Sequence, residues 1–345
     1  GIEPANTVHR IDERYRYYYA VLNGQLVIYP SVTSILNGVM PTSEYLIKWY
    51  ADYGYQKAKQ MMNELSLYGT FMHICFSNLL INRNFDLSQL PAMIEQFVNE
   101  NNIDFYYANW ESKIKDDLAA FRAFCIDYDV QPIAVEIPLI STTYKISGTI
   151  DAVVSMRLGS GVNGNILKAD VKRDSNGKII ADNRKEIIAL IDWKSGRHGF
   201  YPVNEAQIQM YKMLWEDNFP DIPIDKLFNW SPKDWIDAPA YTFKDQSNSI
   251  EKYKIPYYFA LFNLAEDNKN SKMHHTIEGV IDFDNPDNNT IQIYVEDLES
   301  KLERVYLKDK LNTQQLETIP VKATNELPLQ QDNNNTLFKQ ISQIF

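Results

Sequence analysis

Cysteine is almost missing from this chain: Cys75 and Cys125 are the only two among 345 residues, each in an apolar stretch with helical spacing. Two thiols so placed support neither a disulfide framework, nor a four-cysteine zinc site, nor a cysteine-ligated iron–sulfur cluster; buried, reduced thiols of a cytosolic protein are the expectation. Long apolar runs are lacking as well. No stretch reaches the ~18 to 20 uninterrupted apolar residues of a membrane span, and the start GIEPANTVHRIDERYRYYY has no signal-peptide apolar region. Neither secretion nor membrane insertion is expected. The glycine-rich, lysine-containing P-loop of a helicase motor is also absent.

A positive charge balance is missing too. The formal charge of -11 argues against a protein that coats nucleic acid by charge alone, since counterion release needs many Lys and Arg. It is compatible with a metal site, which needs acids. The charge is uneven: residues 168–198 hold eight basic and five acidic side chains, a balance of +3, so the remainder carries -11 - 3 = -14. Such a segment reads equally as a local basic face or as a solvated hairpin of mixed charge. No repeats and no clean linker are visible, and the chain reads as one domain over 1–320 with an Asn/Gln-rich polar tail at 321–345, within which Leu337, Phe338 and Ile341 offer a short apolar dock.

Several patterns are present. RYRYYYAVL, Asn23-Gly24 and QLVIYP form a hairpin signature. At Pro30 to Leu36 a strand turns into a helix, with Ser31 or Thr33 as N-cap. From Ser43 to Ile81 the spacing is helical, with a break expected near Tyr68-Gly69-Thr70, and two more helices fit residues 88–127. The period then becomes two: QPIAVEIPLI and YKISGTIDAVVSMRL read as a strand pair, followed by a hairpin excursion over 159–186. IIALIDW, apolar on both faces, is the best candidate for the centre of a sheet. A helix spans about 204–217. KLFNWSP and YTFKD look like short strands, IPYYFALFNLAEDN fits either type, and VEDLESKLERVYLKDKL is a charged helix. The fold class expected is α/β (α+β), a central mixed sheet flanked by helices.

The chemistry concentrates in Asp151 of GTIDAVV, Asp192 and Lys194 of IDWKSG, and Gln207 and Tyr211 of EAQIQMYKM. Asp-x-Lys alone means little, as Asp170-Val171-Lys172 demonstrates. Asp192 ends a buried-strand pattern and precedes Ser195-Gly196 and a helix, whereas Asp170 leads into a polar hairpin, so Asp192 and Lys194 are preferred. On a strand, 192 and 194 share a face. Asp151 can sit on the neighbouring strand, where Gly148 permits a close approach. Two carboxylates and the Trp193 main-chain carbonyl would offer an oxygen-rich half-shell to Mg2+ or Mn2+, with Lys194 beside it to orient water or offset phosphorane charge.

The set Gly148-Thr149-Ile150-Asp151, Asp192-Trp193-Lys194 and Gln207-x-x-x-Tyr211, with Gly69-Thr70-x-x-His73 upstream on a helix, resembles the PD-(D/E)xK nuclease superfamily in its RecB-like and Cas4-like exonuclease branch. Pro30 to Leu36 resembles the opening segment of single-domain phage and mitochondrial genome maintenance exonucleases. The likeness covers roughly 30–215, with the motif-bearing core at about 64–217. It implies a restriction-endonuclease-like core with an N-terminal helical segment and C-terminal embellishments. It further implies His73, Asp151 and Asp192 as metal ligands, Lys194 as the catalytic lysine, and Glu136 of AVEIPL as an assistant to metal or water. Gln207, Tyr211 and Arg197 become the candidates for substrate contact.

The implied activity is metal-dependent DNA hydrolysis, exonucleolytic on single strands or ends, in replication, recombination or repair, with a replication or recombination protein as a possible partner. A structure-specific endonuclease and a non-catalytic nucleic-acid-binding module are the rivals. The compartment expected is the cytoplasm of a bacterial or phage-infected cell; the leading Gly1 in place of Met leaves an organellar address open. Two departures stand out. The gap from Asp151 to Asp192 is long, and two cysteines cannot supply the iron–sulfur cluster of part of the family. Tyr15, Tyr17, Tyr18, Tyr19, Trp49, Tyr50, Tyr53, Tyr106, Tyr107 and Trp110 could stack unpaired bases, although a structural role is the expectation for most of them. His274-His275 reads as a solvated turn.

Overall fold

Asn23 and Gly24 both take positive φ, 51° and 81°, which is what a two-residue hairpin turn requires. They join β2 (Arg16–Leu22) to β3 (Gln25–Pro30), and β1 (His9–Asp12) completes a three-stranded sheet in the order β1-β2-β3. The computed structural model describes residues 7–12, 15–105, 107–176, 179–197, 199–267, 274–280, 284 and 291–305. The tail at 321–345, with Leu337, Phe338 and Ile341, and Tyr106 lie outside the described residues. The sequence, lacking a linker, reads as one domain over 1–320; the backbone contacts draw two compact units, Gly1–Ala20 with Tyr29–Tyr258, and Val21–Ile28 with Phe259–Phe345.

Helix α1 (Val32–Val39) is capped by Ser31, whose hydroxyl accepts from the Ser34 amide. Helix α2 (Glu44–Tyr53) is capped in the same way by Ser43. The break expected near Gly69 falls elsewhere. Gly54 has φ 76° and separates α2 from α3 (Tyr55–Asn82), which runs without interruption through Gly69. A Cβ at Gly69 would lie 3.2 Å from Ser195 Oγ, so this glycine serves a close approach between the helix and the segment after Trp193 and not a turn. Helices α4 (Leu90–Glu100) and α5 (Trp110–Asp127) follow as the spacing predicts.

The large sheet is five-stranded and mixed. Its strands are β4 (Gln131–Ser141), β5 (Ile146–Leu158), β8 (Lys185–Trp193), β9 (Lys226–Pro232) and β10 (Tyr241–Asp245), in the order β10-β9-β8-β5-β4. β8 is central, as its two-sided apolarity predicts. All neighbours are antiparallel except β8 and β9, which therefore need a crossover, supplied by α6 (Pro202–Asn218). The excursion forms its own two-stranded sheet of β6 (Val171–Arg173) and β7 (Ile179–Asp182). It leaves and rejoins the large sheet beyond the Leu158–Lys185 pair. The long gap between Asp151 and Asp192 therefore does not separate the strands that carry them.

Alternation along β8 and β9 assigns the two faces of the sheet. Trp193 and Trp230, both fully buried, meet Phe76 of α3 and Phe121 of α5 in edge-on contacts with centroids 5.3–5.8 Å apart. Asp192, Lys194 and Asn229 point the other way, toward α6. Helices thus cover both faces.

The segment of undecided type is helix α7 (Ile255–Asp267). His274 and His275, expected on a turn, instead open β11 (His274–Glu278), which pairs with β12 (Gln292–Glu296). The charged helix, expected from Val295, starts at 298 because Val295 and Glu296 belong to β12; it is present to 305, and its expected continuation lies outside the described residues. Among the described residues no helix is long and apolar enough to cross a membrane.

Candidate metal centre

β5 and β8 pair through Ala152–Ile191, so Asp151 arrives beside the end of β8. One of its oxygens, Oδ2, accepts from the Trp193 amide at 2.7 Å. The other, Oδ1, lies 3.6 Å from His73 Nδ1. His73 comes from the buried half of α3, its ring edge-on to Trp193 with centroids 5.5 Å apart. Its Nδ1 is 3.1 Å from Glu136 Oε1 and its Nε2 is 3.2 Å from the Trp193 carbonyl oxygen.

That last contact assigns the Trp193 carbonyl a role different from the ligand role expected of it. It accepts the Nε2 proton of His73, which leaves the Nδ1 lone pair facing two carboxylates when the ring is neutral. A metal-binding imidazole is commonly oriented in this way by a backbone acceptor.

Glu136 sits in β4 with φ 47°, in the left-handed region that a side chain disfavours. The β4–β5 ladder runs through Val135–Ala152 and Ile137–Ile150 on either side of it. Holding a non-glycine residue there costs on the order of 1–3 kcal/mol. The consequence is a carboxylate delivered to His73. His73, Glu136 and Asp151 together present ligand atoms that all lie within 4.8 Å of one another.

Asp192 is 1% exposed and stands apart from that trio. Its Oδ1 and Oδ2 lie 2.9 and 2.8 Å from Lys194 Nζ, and Oδ2 also accepts from Asn229 Nδ2 at 2.7 Å. Lys194 in turn donates to Gln207 Oε1 at 3.0 Å, and Gln207 Nε2 donates to the Tyr211 hydroxyl at 3.0 Å. The Tyr211 ring lies across β5 where there is no side chain: a Cβ at Gly148 would be 3.0 Å from its Cε1. Gln207 and Tyr211 therefore brace the lysine.

Electrostatics follow from burial. Three carboxylates, Glu136, Asp151 and Asp192, face one ammonium and one imidazole. Burial lowers the proton affinity of His73, but Asp151 and the hydrogen-bonded Glu136 outweigh it and raise its pKa to about 9. Burial pushes Asp151 upward, the neighbouring Asp192 and Glu136 carboxylates add to this, and His73 opposes it. Burial also drives the Tyr211 hydroxyl well above its ordinary value. Without a divalent cation, a proton on His73 balances the surplus of acids.

The donor set, one imidazole nitrogen and carboxylate oxygens with no thiolate, suits Mg2+ or Mn2+. His73, Glu136 and Asp151 would hold the ion directly. Cys75 and Cys125 remain free, and burial raises both thiols, Cys125 to about 12.

Other candidates fall elsewhere. Arg197, expected to reach substrate, binds Asp117 Oδ1 at 2.5 Å and Asp234 Oδ1 at 2.6 Å. Asp117 is fully buried and also accepts from the Tyr68 hydroxyl at 2.6 Å, so the guanidinium anchors the segment after Lys194 to α3 and α5. Asp170 accepts from the Ser160 and Leu167 amides and organises the excursion. Of the basic residues at 168–198, Arg184 is paired with Asp182, Lys194 with Asp192 and Arg197 with Asp117.

Sequence reasoning missed Asn229 and Gln246. Parallel pairing sets Asn229 beside Asp192, and Gln246 Nε2 donates to Asn229 Oδ1 at 3.0 Å. The one available signal was a lone asparagine in the apolar strand KLFNWSP. Compared with known proteins, the chain matches no protein-family model and no curated protein.

Proposed function

We propose that this chain is a metal-dependent phosphodiesterase acting on DNA, of the exonuclease type that its PD-(D/E)xK-like motifs imply, with single strands or DNA ends as substrate. The observation that carries the reading is the approach of His73, Glu136 and Asp151 to within 4.8 Å of one another next to the ion pair of buried Asp192 with half-buried Lys194. A divalent ion bound there supplies an acidified water and neutralises charge on the phosphate.

The chain's own residues do the rest. Asp151 is fixed by the Trp193 amide, so its free oxygen points in one direction. His73 gives up the proton shared with Glu136 and keeps Nε2–H on the Trp193 carbonyl, which holds the ring in place. Asp192 holds Lys194 in place through an ion pair of 2.8 Å, and a fixed ammonium beside the scissile phosphate stabilises its developing charge without reorganisation. Gln207 and Tyr211 set the height of the lysine above the sheet.

The test is digestion of end-labelled linear single strands, linear duplex and circular single strands with Mg2+ or Mn2+. Metal-dependent loss of linear DNA with intact circles is expected. Cleavage of circles would indicate the endonuclease rival, and binding without cleavage of any substrate would refute the catalytic reading.

A further inference from the structure

The C-terminal half of α3, the loop that follows it and α5 enclose a groove of about 560 Å3. Its floor is Leu80 and Leu118, both buried; Leu79 and Phe85 stand in its walls, and Leu87 and Ile126 are exposed at its edges. From α5 it is lined by Lys115, Ala119, Arg122 and Ile126, which recur at steps of three and four and so form one stripe of the helix. None of these four is buried, whereas Ile114, Asp117, Phe121 and Phe124 on the other side are. The groove therefore lies on the side of α5 turned away from Trp230, which Phe121 and Phe124 touch.

Charge around this apolar groove is of one sign. Arg83, Lys115 and Arg122 line it and no acidic residue does, in a chain whose formal charge is -11. Arg83 ends α3 as its C-cap at φ 60°, a left-handed position that glycine fills with less strain. Its Nη1 donates to the Val130 carbonyl at 2.8 Å, which fixes the guanidinium at the wall by one of its five donors. Lys115 is bridged to Glu111 at 2.5 Å, with both side chains exposed to solvent. Arg122 is exposed and has no acidic partner among the described residues.

The spacing of the cations selects the ligand. Lys115 and Arg122 are seven residues apart, about 10.5 Å along α5, and Arg83 comes from a different element. A small amphiphile with one carboxylate or phosphate head would meet one cation and leave the others unanswered. An extended peptide advances about 10–13 Å in three to four residues, so two carboxylates at that interval reach Lys115 and Arg122 together. Apolar side chains between them then enter the groove. A nucleic-acid strand also brings spaced negative charge, but the floor and edges here are aliphatic, and stacked bases need flat rings.

We infer that this groove docks an acidic segment of a partner protein, in which carboxylates three to four positions apart flank apolar side chains. The inference stands apart from the phosphodiesterase reading. It does give that reading a setting: Leu79 follows His73 by six residues, about 9 Å along the same helix, so a partner held here is held close to the candidate metal centre.

The test pans a display library of random dodecapeptides on the full chain, with Arg122→Glu as the counter-target. The enriched peptide is then synthesised with fluorescein, and its affinity is read by anisotropy. Enriched peptides are expected to carry Asp or Glu three to four positions apart around aliphatic or aromatic residues. Arg122→Glu, which replaces an attraction by a repulsion, should weaken the synthetic peptide roughly tenfold, and Arg122→Lys should stay within about threefold of the parent. Ala119→Trp fills the groove and should abolish binding. Glu111→Gln releases Lys115 and should tighten binding about two- to threefold, a gain that misfolding cannot produce.

No enriched peptide, enriched peptides without paired carboxylates, or equal affinity for the parent and Arg122→Glu would each overturn the inference. An acidic peptide whose binding survives Ala119→Trp lies outside the groove and overturns it as well. If the parent sediments as a dimer that Arg122→Glu dissociates, the groove serves a second copy of this chain and the inference is wrong. Oligothymidylate that binds more tightly than any enriched peptide, and is lost in Arg122→Glu, would assign the groove to nucleic acid and refute it equally.

Discussion

Replacing Lys194 by Met keeps most of the side-chain stem and deletes the ammonium. Asp192 is then left 1% exposed with Asn229 as its remaining partner at 2.7 Å. Removing one partner of a buried ion pair costs about 3–5 kcal/mol. Lys194 itself is 24% exposed, so water can enter the vacated space, and the lower end, about 3 kcal/mol, is the expected loss. Asp192→Asn alone leaves a partly solvated ammonium and should cost less, about 1–2 kcal/mol. The double variant removes both charges while the new amide oxygen can still accept from Asn229. It should therefore be more stable than Lys194→Met, with a coupling of about 2 kcal/mol between the two sites.

Trp193 and Trp230 are fully buried within this core, so denaturant unfolding followed by tryptophan fluorescence reads the cycle. DNA hydrolysis should be abolished in both single variants and in the double variant. Additivity within about 0.5 kcal/mol would refute the pair as one electrostatic unit. Recovery of hydrolysis along with stability would refute a direct role for Lys194 in the chemistry.

Three further outcomes are expected. The metal-free chain carries a proton on His73 with a pKa near 9; because this lies above the unfolded value, the stability it adds is complete below pH ~6.5 and is lost as pH rises through about 9. A metal must displace that proton, so Mn2+ affinity measured by calorimetry should rise about tenfold per pH unit from pH 7 toward 9 and then level off, and a flat profile would contradict it. Glu136→Gly and Glu136→Ala both remove the carboxylate, but glycine relieves the backbone at φ 47°, so the glycine variant should melt higher, by about 1 kcal/mol of stability. Gly148→Ala drives a methyl to 3.0 Å from Tyr211 Cε1; it should cost about 1–3 kcal/mol and depress turnover by shifting the Gln207–Lys194 brace, whereas unaltered turnover would show that the brace is idle.

Strand β8 at the centre of the sheet and the shared face of Asp192 and Lys194 were legible because both follow from local period. The helix break was not. Two glycines, Gly54 and Gly69, look alike in sequence; what separates them is Ser195, which packs against one of them from more than a hundred residues away. The long Asp151–Asp192 interval looked like a threat to the site because sequence distance conceals register: β5 and β8 remain paired up to Leu158–Lys185, and the excursion starts only beyond. Asn229 was invisible for the same reason, since a single asparagine acquires meaning when parallel pairing puts it beside Asp192. Arg197 follows the motif lysine in sequence, but the buried Asp117 that binds it comes from a helix with no motif to announce it.

The most direct test of the account is an anomalous difference map from a crystal soaked in Mn2+. The account predicts one ion about 2.0–2.2 Å from His73 Nδ1 and from the Glu136 and Asp151 carboxylates, with His73 Nε2 still on the Trp193 carbonyl. An ion bound elsewhere, or no ion while His73 keeps its contacts with Glu136 and Trp193, would contradict it.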